Sequence, residues 1–256
     1  SFTGSTAVGK HIGEVCGGML KRCTLELGGK SAAIVLDDAN LDEATLGNLV
    51  QSGVMNNGQV CGAQSRVLVS RKRYEEVVAA LGGAVGALKV GDPLDETTQI
   101  GPLVAERQRD RVEGFLQAGK DGGARVVVGG GRPADQPTGW YVEPTVFADV
   151  SNDMKIAREE IFGPVLSVIP YDDDAQAIRI ANDSDYGLCG SVWTNDPEHG
   201  AAVAAQVRTG VVAVNSSMIL DFNAPFGGFK QSGVGRELGP EGIAPYTEYQ
   251  SIILPA

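Results

Sequence analysis

The chain repeats one pattern almost from end to end: an apolar run the length of a strand, a glycine- or asparagine-rich turn, then a longer stretch with apolar residues at helical spacing. Ser31 to Leu36, Val67 to Ser70, Arg125 to Val128, Leu166 to Ile169, Cys189 to Thr194 and Val211 to Asn215 read as strands. Leu41, Ala44, Leu49 and Val54 mark a helix ending near Asn56, and further helices are expected over Tyr74 to Leu88, Ala105 to Asp121 and Pro197 to Val207. Strands alternating with helices run mainly in one direction, because each helix returns the chain to the starting edge. The expected fold class is α/β with a mainly parallel sheet. Met19 to Leu27 alternates enough to read as one more strand, with Cys23 inside it.

Several turns carry chemistry-bearing residues. Asn56 to Arg66 places Cys61 just past a helix and just before a strand, flanked by Gly58 and Gly62, so the thiol sits at a mouth between elements. There it is either a small buried thiol or a nucleophile whose own amide N–H points at a developing oxyanion. Glu26 stands at a strand end before Gly28-Gly29. Alternation with Leu25 and Leu27 would equally make it a solvated charge on a polar face. Gly4-Ser5-Thr6 opens a helix with Val8, Ile12, Val15 and Cys16 on one side. That turn is either a plain N-cap or a seat for a phosphate at the positive end of the helix. Glu160 lies two residues from Phe162 on a turn before a strand, as a helix-terminal charge beside a core ring or as an acceptor of sugar hydroxyls beside a ring that packs on a planar cofactor. Ala224 to Glu237 is too rich in glycine for regular structure, and a loop of that length in a compact chain is usually functional.

Composition narrows the partners. With 21 basic against 32 acidic residues the net charge is −11, which argues against a nucleic-acid groove or an anionic membrane surface. No run of eighteen apolar residues is present and the first residues lack the pattern of a signal peptide, so a cytoplasmic protein is expected. Cys16, Cys23, Cys61 and Cys189 have no metal-ligand spacing, so reduced thiols and no metal are expected.

Taken together, Phe-Thr-Gly-Ser-Thr at 2 to 6, Leu-Glu-Leu-Gly-Gly-Lys at 25 to 30, the Cys61 stretch, Glu-Ile-Phe-Gly-Pro-Val at 160 to 165 and Pro-Phe-Gly-Gly-Phe-Lys-Gln-Ser-Gly at 225 to 233 resemble the aldehyde dehydrogenase superfamily, in order and in register. The resemblance implies an aldehyde dehydrogenase-like catalytic domain with a remnant of a Rossmann-like cofactor domain. It implies oxidation of an aldehyde to a carboxylic acid with NAD, or with NADP. Cys61 resembles the nucleophile that passes through a thiohemiacetal and a thioester, and Glu26 the base that activates the hydrolytic water. Glu237 resembles a second inner carboxylate, as a proton relay. Gly4 and Ser5 resemble the pyrophosphate turn, with Leu27, Glu160 and Phe162 around the nicotinamide riboside. Asn215, Met218, Leu220 and Phe226 lie where the family lines its aldehyde pocket.

Family members are much longer, and the resemblance assigns this chain to their C-terminal half, which is why we expect a truncated form. By it, residues 1–29 are the end of the cofactor domain, 30–231 the catalytic domain, and 232–256 a return segment with an interdomain or oligomerisation strand at Tyr249 to Leu254. A homo-dimer or homo-tetramer is implied for the full-length protein. Two competing readings are a cofactor-independent cysteine esterase and a non-catalytic binding module. The first ordinarily needs a Cys–His pair, and only His11 and His199 are available.

Overall fold

The computed structural model describes residues 1–255. In chain order the strands are β1 (Phe2–Thr3), β2 (Leu25–Glu26), β3 (Ala32–Val35), β4 (Arg66–Ser70), β5 (Arg125–Val128), β6 (Thr145–Ala148), β7 (Val165–Tyr171), β8 (Tyr186–Gly187), β9 (Cys189–Trp193), β10 (Val211–Val214), β11 (Phe229–Lys230) and β12 (Gly233–Val234). The helices are α1 (Thr6–Gly18), α2 (Glu43–Val54), α3 (Tyr74–Gly86), α4 (Glu106–Asp121), α5 (Lys155–Arg158), α6 (Asp174–Asn182) and α7 (Pro197–Ala204).

Seven strands form the main sheet in the order β10-β9-β3-β4-β7-β6-β5, parallel except where β5 meets β6. Period-two alternation sends neighbouring residues of one strand to opposite faces. Ile34 and Leu68 therefore join Val112, Phe115 and Ile156 on one side, while Val35, Val67 and Val69 join Leu49, Val77 and Leu81 on the other. Both faces are covered by helices, which is why the strands read as continuous apolar runs rather than alternating ones. Each such fully buried Leu, Ile, Val or Phe contributes about 1.5–3 kcal/mol to the driving force for folding. The mainly parallel α/β expectation holds.

A second, three-stranded sheet, β1-β2-β12, joins the first residues to the stretch after Ser232 and places Glu26 on its middle strand. Glu26 pairs with Thr3 on one side and with Gly233 on the other.

Two expectations are corrected. Met19 to Leu27 is a strand only at its end: α1 runs through Gly18, Leu20 adopts φ 53°, and the Lys21 amide caps back onto the Cys16 carbonyl at 2.8 Å. The glycine-rich loop is not wholly irregular, since β11 pairs with β8 and β12 with β2. Tyr249 to Leu254 pairs with no strand among the described residues, and Ile253 is 92% exposed.

Candidate active site

Glu26, Cys61, Glu160 and Tyr186 each lie a few residues before a strand of the main sheet: β3, β4, β7 and β9 respectively. Four loops thus converge on the amino-terminal edge of the parallel strands, whereas open α/β sheets ordinarily bind ligands at the carboxyl ends. The loops are locked together backbone to backbone. Asn56, Asn57 and Gly58 all adopt positive φ, which turns the chain sharply after α2. A Cβ at Gly58 would lie 2.0 Å from the Gly163 carbonyl oxygen, so only glycine lets the Cys61 loop touch the Glu160–Phe162 turn. Asn57 fixes the same turn by accepting from the Gly101 amide and donating to the Pro102 carbonyl, each at 2.9 Å. Phe162 itself sits at φ 59°, a strained position for a large residue. Gln108 holds it there by donating to the Ile161 and Phe162 carbonyls at 3.1 and 2.7 Å.

Between these loops lies a cleft of about 790 Å³ whose lining includes Gly4, Ser5, Glu26, Leu27, Cys61, Glu160 and Phe162, together with Gln59, Gln108, Arg111 and Tyr186. Seven candidate site residues of the sequence therefore face one hollow. The last four named come from three separate segments. Gln108 and Arg111, three apart on α4, share a helical face, but nothing in the sequence aims that face at Cys61.

Cys61 is partly buried, and burial pushes its thiol above the ordinary value, helped by the charges of Glu160 and Glu26. The amides of Gly62 and of Cys61 itself bond toward the sulfur and pull the other way. The same two N–H groups are available to an oxyanion on a carbon bonded to the sulfur. Glu26 is not the solvated charge that alternation allowed: it is 4% exposed, and its Oε2 has no hydrogen-bond partner. Burial first, then the nearby Glu237 carboxylate, raises it to about 7, against a smaller opposing pull from Arg236. A carboxylate with that proton affinity and a free oxygen is matched to general-base work at neutral pH.

Glu160 accepts from the Gly29 amide at 3.0 Å through Oε1, and its Oε2 lies against Gly28, where a Cβ would approach it to 2.4 Å. Opposite, α1 begins at the cleft wall. Ser5 caps the helix through Val8 at 3.4 Å, and the Gly4 amide is held by the Glu26 carbonyl at 3.0 Å. The start of this 13-residue helix carries the partial positive charge that favours a phosphate. A helix amino end, a carboxylate and a strained aromatic ring around one hollow suit the pyrophosphate, ribose hydroxyls and planar ring of the nicotinamide half of a dinucleotide.

Glu237 does not line the cleft. It pairs with Phe226 through two backbone bonds of 2.7 Å and acts on Glu26 through its charge. Asn215, Met218, Leu220 and Phe226 do not line it either. Asn215 adopts φ 51° and its side-chain oxygen accepts the Thr194 amide at 2.9 Å, while Met218 is 73% exposed. The loop approaches Gly62, next to Cys61, through Ile219, the residue between two of the expected ones. Its Cδ1 would stand 2.4 Å from a Cβ at Gly62. Neither histidine is near: His11 lies on the exposed side of α1, and His199 bonds Asp174 at 2.8 Å on the surface.

A family model described as "Aldehyde dehydrogenase family" matches residues 1–252. A geranial dehydrogenase from Castellaniella defragrans is 54% identical over 99% of this chain and 52% of its own length. A betaine aldehyde dehydrogenase from Brucella anthropi is 43% identical over 98% of this chain and 52% of its own. Among solved structures, an aldehyde dehydrogenase from Mycobacterium tuberculosis complexed with NAD+ is similar with a TM-score of 0.96 at 55% identity, covering 99% of this chain and 52% of that one. The NAD+ complex of an aldehyde dehydrogenase from Bacillus cereus gives 0.92 at 46% identity, covering 96% and 50%. The chain spans about half the length of the relatives it matches.

Proposed function

The chain belongs to the aldehyde dehydrogenase family, and from that premise we propose that it carries the chemical half of an NAD-dependent oxidation of an aldehyde to a carboxylic acid. The observation that supports this most directly is that Cys61, Glu26 and Glu160 meet in one cleft at the amino end of α1. Gly4 and Ser5 would hold the pyrophosphate, Glu160 the ribose hydroxyls, and Phe162 and Leu27 the nicotinamide end. A nicotinamide bound there would accept the hydride that converts a Cys61 thiohemiacetal into a thioester. NADP remains the alternative cofactor.

The residues of the chain do the rest. Cys61 attacks the aldehyde carbon; because burial and two carboxylates keep its thiol protonated, a base must take the proton as the bond forms. The oxyanion falls to the Cys61 and Gly62 amides. Glu26, the base with a free oxygen, then draws a proton from the water that attacks the thioester, and the acid leaves. Glu237 would receive that proton onward, since its charge already acts on Glu26. Ile219 joins Asn215, Met218, Leu220 and Phe226 as the candidate wall for the carbon chain of the aldehyde. The division into residues 1–29, 30–231 and 232–256, a homo-dimer or homo-tetramer and a cytoplasmic location belong to the same proposal. No helix among the described residues is long and apolar enough to cross a membrane.

The test is NADH formation from NAD and a panel of aldehydes by the 256-residue chain, with Cys61→Ala as control. NADH that disappears with Cys61→Ala supports the proposal. If no NADH forms, Cys61-dependent ester hydrolysis supports an intact acyl-transfer centre, and silence in both assays favours the binding-module reading. The cysteine-esterase reading retains only this Glu26-assisted form, because no histidine stands near Cys61.

A further inference from the structure

Gln64 stands three positions after Cys61 and is 1% exposed, and its Nε2 has no hydrogen-bond partner. An apolar side chain of similar size would avoid the cost of a buried donor left unpaired. What Gln64 gains lies at its other end. Trp193 Nε1 donates to Ser191 Oγ at 2.7 Å, and the Ser191 hydroxyl donates to Gln64 Oε1. An indole N–H can only donate, so the Ser191 oxygen accepts it and the single Ser191 proton is left for Gln64. The chain of bonds therefore has one direction, and it turns Gln64 Oε1 toward β9.

These bonds cross a strand. β3 lies between β9 and β4, and the β3 residue paired with Ser191 is Ala33, whose side chain is only a methyl group. Cys189, Ser191 and Trp193 alternate onto one face of β9. That face backs the Cys61 loop: a Cβ at Gly62 would come to 3.1 Å from the Cys189 sulfur. The loop is a tight turn in which the Ala63 amide donates to the Val60 carbonyl at 3.0 Å, with Cys61 and Gly62 at its centre. Gln64 is where the turn is made fast. Its own amide donates to the Ser52 carbonyl of α2 at 2.9 Å, while its side chain accepts from Ser191. Helix and sheet thus hold one residue, directly behind the two amides that bond toward the Cys61 sulfur.

We propose that Gln64 is a positioning residue: the bonds from Trp193 through Ser191 fix the exit of the Cys61 turn, so that the Cys61 and Gly62 amides converge on the oxygen of an acyl group joining the sulfur. The proposal rests on the reading of Cys61 as the nucleophile of the proposed function. Aim matters only where an oxyanion forms. An ester carbon bonding to the sulfur generates one, whereas alkylation of the sulfur by iodoacetamide does not.

The test compares the rates of those two reactions at Cys61, with an activated ester and with iodoacetamide, in the wild-type chain, Gln64→Leu, Ser191→Ala, Ser191→Thr and Trp193→Phe. Gln64→Leu and Ser191→Ala are each expected to lower the ratio of acylation to alkylation by about tenfold or more, with little further loss in the double variant. Ser191→Thr, which keeps the hydroxyl, is expected to restore most of the ratio. Trp193→Phe, which leaves Ser191 free to donate to Gln64, should lower Tm more than Ser191→Ala and the ratio less. A ratio unchanged in Gln64→Leu or Ser191→Ala, or one that only follows Tm across the series, overturns the proposal; if one of the two does not fold, the other decides. Amide resonances of Cys61 and Gly62 separate the proposal from the reading beneath it. If they shift in Gln64→Leu and Ser191→Ala while wild-type Cys61 takes no acyl group, the positioning stands and the nucleophile reading fails; resonances that stay in place overturn the positioning whatever the acylation shows.

Discussion

Cys61 and Glu26 have their proton affinities pushed upward by the same cause, burial in a shared cleft, and in the proposed function the consequences differ because one would attack and the other accept a proton. Removing the Glu26 charge with Glu26→Gln is expected to slow thioester hydrolysis by about a hundred- to ten-thousand-fold, read in single-turnover deacylation. Because only ionised Glu26 accepts a proton, the wild-type deacylation rate should rise with pH through about 7 and then level off. Stability runs the opposite way. The folded-state value lies above the ordinary 4.5, so the folded chain binds the proton more tightly between those limits and loses stability as pH rises through them. Glu26→Gln is freed from that loss, and its Tm advantage over wild type should grow between about pH 5 and about pH 8 in calorimetric scans. A gap that stays constant would mean Glu26 is not the group perturbed. Glu160→Gln is expected to accelerate iodoacetamide labelling of Cys61 at neutral pH, since it removes the leading charge that raises the thiol. The types and order of these residues were legible in the sequence. The burial of Glu26 was not, because period-two alternation places a residue on one face without saying what covers that face.

At the scale of elements, the site depends on loops that cross at van der Waals distance, and glycine is what permits it. Gly58→Ala forces φ +69° on a residue with a Cβ and drives that atom to 2.0 Å from the Gly163 oxygen. It is expected to cost about 2 kcal/mol or more in denaturant unfolding, and a cost within about 0.5 kcal/mol would contradict the loop contact described here. The long α/β repeat was readable because strands buried on both faces are continuous apolar runs. β6 and α6 escaped it: Thr145–Ala148 is four residues long, and Asp174–Asn182 is nine residues whose fully buried positions are only Ala177 and Ala181, with Ile178 and Ile180 partly buried beside them. The loop proposed for the substrate differs from expectation by one residue at Gly62. Asn215 turns the backbone with a positive φ, and that local twist, invisible in composition, swings Ile219 rather than Met218 onto Gly62.

At the scale of the whole molecule, the chain exposes a run of apolar side chains that a monomer in water has no use for. Tyr249, Ile252, Ile253 and Leu254 are each at least 78% exposed and unpaired. Such a run is what the proposed oligomerisation strand would present to a partner. Replacing Ile252 and Ile253 by Asp is expected to shift the protein to a smaller species in sedimentation; no shift would remove the segment from the proposed interface. The main sheet, by contrast, is covered on both faces, and Cys61, Glu26 and Glu160 share one cleft beside it. The central claim is therefore open to one direct measurement: the intact mass of the protein after brief exposure to an activated ester, followed by peptide mapping. The account predicts a single acyl group on Cys61 that clears in the wild-type chain and accumulates in Glu26→Gln. An acyl group on another residue, or one on Cys61 that clears equally fast without Glu26, would contradict it.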